Sequence, residues 1–171
     1  MNEQSRHRAT QRSQTLLTGA VAGFIATIPM TIFMLATQPF LPQGQHYDLP
    51  PEIIIKELAH RLHIRSRMSK PQILLVTLVS HLGYGAAMGA IYSPLETRPL
   101  PVAPVQGSLF GLLVWVASYL GLLPLLRISA SGHREPAHRN YMMIAAHLIW
   151  GTALGTMTAI LKSNTSDNSK A

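Results

Sequence analysis

Four stretches of this chain, at about 15–37, 71–94, 102–126 and 141–161, contain no Asp, Glu, Lys or Arg. An α-helix rises 1.5 Å per residue, so about 20 residues cross the roughly 30 Å of hydrocarbon in a bilayer. Each of the four runs meets that length. In hydrocarbon every backbone N–H and C=O must find its partner inside the structure, which leaves helices or a closed barrel. Few long runs, with no alternation of polar and apolar residues, fit helices and exclude barrel strands. The fold class expected is therefore all-α: a polytopic membrane protein with four transmembrane helices.

Charge supports this reading by where it is missing. Only 12% of residues are charged, about half the share in soluble domains. The 14 Lys/Arg and 7 Asp/Glu leave a formal charge of +7. These bases flank the apolar runs and form no single dense patch, so the balance points to anionic lipid headgroups and away from nucleic acid. With no cysteine, disulfides, thiolate metal sites and thiol nucleophiles are excluded. The first run follows Arg6, Arg8 and Arg12 but is too long for the apolar region of a signal peptide, and no A-x-A cleavage site follows. It is read as a helix that tolerates Pro29.

The segments between the runs give the layout. Residues 1–14 form a basic N-terminal segment, 15–161 the transmembrane domain, and 162–171 (KSNTSDNSKA) a tail whose composition suggests disorder. The first connection holds a short amphipathic helix expected at about 52–64, with Asp48 as N-cap and Ile54, Ile55, Leu58 and Leu62 on one face. The second connection is short and Pro-rich, which makes the second and third helices antiparallel. No base follows the first span for 18 residues, whereas three precede it. That asymmetry favours cytoplasmic termini, both on one side, while the Lys/Arg count over all segments, six on that side against eight on the other, leans the opposite way.

The second and fourth runs match without a gap. His81-Leu82-Gly83-Tyr84-Gly85 through Gly89 aligns with His147-Leu148-Ile149-Trp150-Gly151 through Gly155. Gly19 and Gly23 in the first run correspond likewise to Gly107 and Gly111 in the third. The chain therefore reads as two tandem helical hairpins, an internal repeat about an axis along the membrane normal. Glycines four apart share a helix face and let backbones approach closely, so all four G-x-x-x-G pairs predict a compact bundle, with a homo-oligomer surface as the sharper alternative.

His81 and His147 are the ionisable residues nearest mid-span. Each shares a face with its two glycines, at i, i+4 and i+8. Three readings stay open. The rings are packing glue, or they carry protons or bind a small solute, or they ligate haem between two helices. In the third connection His133, Glu135 and His138 form H-x-E-x-x-H, which lacks the adjacent His-Glu of the zinc protease motif. No metal site is expected there. No phosphate loop, nucleophile elbow or carboxylate pair supports a catalytic residue, and no enzyme is expected.

Glu135, followed by His147-Leu148-Ile149-Trp150, together with the glycine-rich first helix (GAVAGFIATIPM), resembles small uncharacterised bacterial inner-membrane proteins of the YagU-like type. The resemblance implies an inner-membrane location, interest in His147, and a loose link to acid tolerance without an established reaction. On the residues alone, the function expected first is a non-enzymatic packing or assembly protein. Proton or small-solute handling through His81 and His147 is the alternative. Four oil-soluble spans predict extraction only with detergent. A monodisperse preparation in plain buffer would remove the membrane assignment.

Overall fold

A computed structural model gives the fold and describes residues 3–40, 50–122, 125 and 137–168. Five α-helices carry the architecture of the described residues. They are α1 (Glu3–Thr37), α2 (Pro50–Arg61), α3 (Lys70–Tyr92), α4 (Ala103–Val116) and α5 (Ala137–Asn168). Six residues of π-helix, Ala117–Leu122, continue α4. α1, α3, α5 and the α4 rod with its π-helical extension are long and apolar enough to cross a membrane. By helix length and composition this is a multi-pass membrane protein.

The outside of the bundle is what a lipid phase requires. Leu17, Ile32, Leu75, Val79, Leu109 and Leu113 are each 60–65% exposed, a surface that water would penalise and acyl chains would not. Inside lie small side chains and the polar ones: Ala22, Ala26, Thr27, Ala146, His147 and Thr158 are buried.

Glycine pairs set the order of the helices. A Cβ added to Gly19 would run into the Gly89 carbonyl, and one added to Gly23 would run into the Gly85 carbonyl and stand 2.9 Å from the Gly89 Cα. One index rises as the other falls, so α1 and α3 are antiparallel with their backbones in contact. The second hairpin repeats this. A Cβ on Gly107 would stand 2.8 Å from the Gly155 Cα, and one on Gly111 would stand 3.2 Å from the Gly151 Cα. α1 also packs against α5, so the sequence across the bundle is α3, α1, α5, α4. The outer pair, α3 and α4, do not pack along their lengths.

Two differences from the sequence reading have local causes. α1 begins at Glu3, inside the segment set apart as a basic N-terminus, because nothing from Glu3 to Thr15 breaks a helix. The last helix runs on through Asn168, where the composition suggests disorder. Lys162 ties that stretch down. Its Nζ donates to the Ser93 carbonyl at 2.6 Å, the Glu96 carbonyl at 2.7 Å and Glu96 Oε2 at 3.1 Å. A cation thus satisfies carbonyls left open where α3 ends, and it neutralises a buried carboxylate that also accepts from the Arg98 N–H. The amphipathic helix is present as α2, with the Glu52–Lys56 and Glu57–Arg61 pairs formed. Its expected N-cap, Asp48, lies outside the described residues.

If backbone contact at the glycines holds the hairpins, Gly23→Ala and Gly107→Ala should each destabilise the bundle by about 1–3 kcal/mol through overpacking. Gly83 has nothing within 4 Å of the added carbon, so Gly83→Ala should be neutral or stabilise by roughly 0.5–1 kcal/mol through helix propensity. Thermal unfolding of the three variants in one detergent checks the contrast.

Candidate functional site

The glycine seams occupy only part of each helix. Beyond them the helices carry larger groups and diverge. α1 continues from Gly23 to Thr27, Met30 and Met34, and α5 reads backwards from Gly151 through Trp150 and His147 to Met143. These residues, with Ser80, His81, Tyr84 and Gly85 of α3 and Val114, Ser118 and Tyr119 of α4 and its π-helical extension, enclose a chamber of about 290 Å³. Pro51, Ile54 and Ile55 of α2 complete its wall. α2 packs on α3 and buries Ile55 and Ala59; of the apolar face expected from the sequence, Ile54 and Ile55 turn onto the bundle while Leu58 and Leu62 stay exposed. At the other end the close backbone contacts at the glycines leave no room for a continuous pore.

Both singled-out histidines line this one chamber. Each stands four residues before the first glycine of its pair, on the face where its helix leaves the seam. His147 Nδ1 lies 2.8 Å from the Met143 carbonyl, one turn back on the same helix. A carbonyl can only accept, so Nδ1 carries the proton and donates. The lone pair of the neutral ring is then on Nε2, on the side of the ring away from its own backbone. Tyr119 stands edge-on to that ring, with centroids 6.4 Å apart.

His81 is placed by α1. Its Nδ1 lies 3.4 Å from Thr31 Oγ1. The Thr31 hydroxyl spends its proton on the Thr27 carbonyl at 2.8 Å, so its oxygen is the acceptor and His81 Nδ1 the donor. Nε2 is again the nitrogen with the free lone pair. Both imidazoles line the chamber, and in each the nitrogen left able to accept is Nε2.

Thr27 joins the two inner helices beside them. Its hydroxyl donates to the Gly23 carbonyl at 2.8 Å and accepts from Trp150 Nε1 at 3.2 Å. Thr27 is not among the residues that the sequence singles out. A threonine four residues after a G-x-x-x-G pair was the available signal. Without a structure it is one of many apolar-helix threonines that return their hydroxyl to their own backbone.

The remaining candidates lie elsewhere. His138 is exposed in the first turn of α5, against Phe33, Thr37, Tyr141 and Met142 at a separate shallow depression. His133 and Glu135 lie outside the described residues. Among the described residues no three His, Cys, Asp or Glu side chains gather as a metal-ligand group, and no formally charged side chain lines the chamber.

Comparison with known proteins gives one positive result. Residues 31–156 match the profile of a family described as "Protein of unknown function (DUF1440)". No curated protein and no solved structure matches. The matched segment includes the chamber residues from Met34 onward, leaves out Thr27 and Met30, and stops just past Gly155.

The Thr27 link carries its own test. Thr27→Val keeps the shape but leaves the buried Trp150 N–H without an acceptor, at a cost of about 1–3 kcal/mol. In a Trp115→Phe background, Trp150 is the sole indole. Its emission should shift to shorter wavelength as the hydrogen bond is lost, together with a lower melting temperature.

Proposed function

The chain belongs to the DUF1440 family, whose description names no function, and from its own geometry we propose that it handles a small solute inside the membrane. The solute is bound in the chamber, with His81 and His147 as its polar contacts. One observation carries this reading. Histidines from the two hairpins, 66 positions apart in sequence, line the same space of about 290 Å³. Small-molecule sites have this character: a concave, mostly apolar lining with a few converging polar groups, between the helices of a bundle. A polar ring in hydrocarbon costs free energy, which makes it a functional candidate where packing does not account for it.

Packing accounts for these two rings poorly. His147 spends its Nδ1 on its own helix, so that bond joins no two elements. His81 reaches α1 only at 3.4 Å. The helices are joined at the glycines, by Thr27–Trp150 and by Ser108–Thr152 at 2.7 Å; the imidazoles add only the long His81–Thr31 contact and the edge-on contact of His147 with Tyr119. An assembly role for the protein as a whole draws support from the tight bundle alone. The closed glycine end favours binding over free conduction. Inner-membrane location with cytoplasmic termini, as the charge asymmetry and the YagU-like resemblance suggest, belongs to the same proposal.

Trp150 lines the chamber and can report its occupancy. In Trp115→Phe protein, iodobenzene, whose iodine quenches indole emission, should quench Trp150 saturably, since apolar cavities of this kind take up benzene-sized molecules. Val114→Phe, which places a ring in the space, should abolish the saturable part. His81→Gln/His147→Gln should keep the helical content and melt within a few degrees of the parent, because the seams are untouched. Quenching that never saturates, or that Val114→Phe leaves unchanged, would overturn the reading.

A further inference from the structure

We propose that the seam between α3 and the π-helical extension of α4 is a lateral doorway from the lipid, admitting a small, neutral phenolic compound whose hydroxyl donates to the histidines. The inference rests on the solute-binding reading and names both the route and the chemical class of the solute.

The route follows from which seams are sealed. α1 meets α3, and α4 meets α5, through backbone contacts at paired glycines. α1 packs on α5 and is pinned there by Trp150 to Thr27. α2 lies across the chamber with Pro51, Ile54 and Ile55. The side between α3 and α4 remains, where the helices do not pack along their lengths. Among the described residues one side-chain hydrogen bond spans it, Tyr84 Oη to Ser118 Oγ at 3.1 Å. Ser80 and Tyr84 line the chamber and are both accessible, as residues beside an opening would be.

The backbone marks the same place. Ser118 and Tyr119 sit in the π-helix, Ala117–Leu122. A π-turn holds one more residue than an α-turn, is rarely stable for its own sake, and concentrates at functional sites. Here two consecutive residues reach the chamber, one at the doorway and one against His147.

The class of solute follows from the lining. A molecule arriving through hydrocarbon must be uncharged, and among the described residues no charged side chain lines the chamber to pair with an ion. Trp150, Tyr84, Tyr119 and His147 supply aromatic walls suited to a ring. The Thr27 hydroxyl is already committed on both sides. The two Nε2 atoms are acceptors, because each Nδ1 holds its proton toward a carbonyl or a hydroxyl oxygen. Two buried acceptors select for a donor, and an aromatic ring bearing one O–H meets both demands.

The test uses 4-iodophenol and 4-iodoanisole, which differ by replacement of the donor hydrogen with a methyl group, against Trp115→Phe protein in lipid nanodiscs. Saturable quenching of Trp150 should show the phenol at least tenfold tighter than the anisole. His81→Leu/His147→Leu should bring the two to equal affinity, and retained anisole binding shows that the chamber is still formed. For the doorway, the chain has no native cysteine, so Tyr84→Cys/Ser118→Cys can be bridged by a short bis-thiol reagent. Bridging should slow association of the phenol at least tenfold, while each single-cysteine variant treated alike keeps its rate. Equal affinity for the two probes in the parent protein, or unslowed entry after bridging, overturns this inference and leaves the chamber standing. If neither these probes nor iodobenzene saturates, the solute-binding reading itself has failed.

Discussion

Backbone-to-backbone contact at the paired glycines is the constraint from which the rest of the bundle follows. In a bilayer the hydrophobic effect does not drive helices together, because lipid tails are as apolar as leucine. What remains is close packing, and close packing needs the absence of a side chain. Gly19 and Gly23 meet Gly85 and Gly89, and Gly107 and Gly111 meet Gly151 and Gly155, so closely that even a methyl group would collide with a carbonyl or a Cα. Two hairpins result, each zipped at the end near its G-x-x-x-G pairs. Past the last glycine the next inward residues are Thr27, Met30 and Met34 on one helix and Trp150 and His147 on another, and the same helices must separate. The chamber is thus the geometric consequence of where the small residues stop.

That division assigns different work to neighbouring residues. The glycines hold the hairpins, and Thr27 with Trp150 fixes α1 against α5. Lys162 ties the exit of α5 to the exit of α3 through the Ser93 and Glu96 carbonyls. Beside these contacts the histidines add one long bond, His81 to Thr31, and one ring contact, His147 with Tyr119. Their Nδ1 atoms face Thr31 Oγ1 and the Met143 carbonyl, much as second-sphere hydrogen bonds orient metal-bound histidines, which leaves Nε2 as the nitrogen able to accept.

The fold class was legible because hydrocarbon is an unforgiving solvent. Uncharged runs of bilayer length admit few structures, and four such helices are present. The chamber was legible only in part. The shared register of His81 and His147 with their glycines put both on one face of each helix, but periodicity does not say which helices that face meets. The contact of α1 with α5, the role of Thr27 and the π-turn at Ser118 and Tyr119 depend on how four helices settle together. The extension of the last helix past Lys162 was hidden for the same reason. Ser, Asn and Asp favour disorder locally, and the lysine that overrides them acts on residues more than 60 positions away.

The two hairpins make matching glycine contacts yet differ in one seam, and the residue four places after the second glycine differs in bulk with it. Four residues after Gly23 stands Thr27, small enough to let α5 approach and polar enough to receive the Trp150 N–H. Four residues after Gly111 stands Trp115, stacked on Tyr119 with centroids 6.1 Å apart. Where the inner seam places an indole against a threonine, the outer one would have to fit Tyr84 beside a second indole, and α3 gains no equivalent close approach to α4. Tyr84 instead reaches outward to Ser118. Had both seams closed as α1 and α5 do, the imidazoles would be sealed in protein with no path to either of them. The unequal pair of residues at this one offset leaves three sides packed and the fourth spanned by a hydroxyl pair, which is the least a membrane-embedded site needs if its solute comes from the lipid.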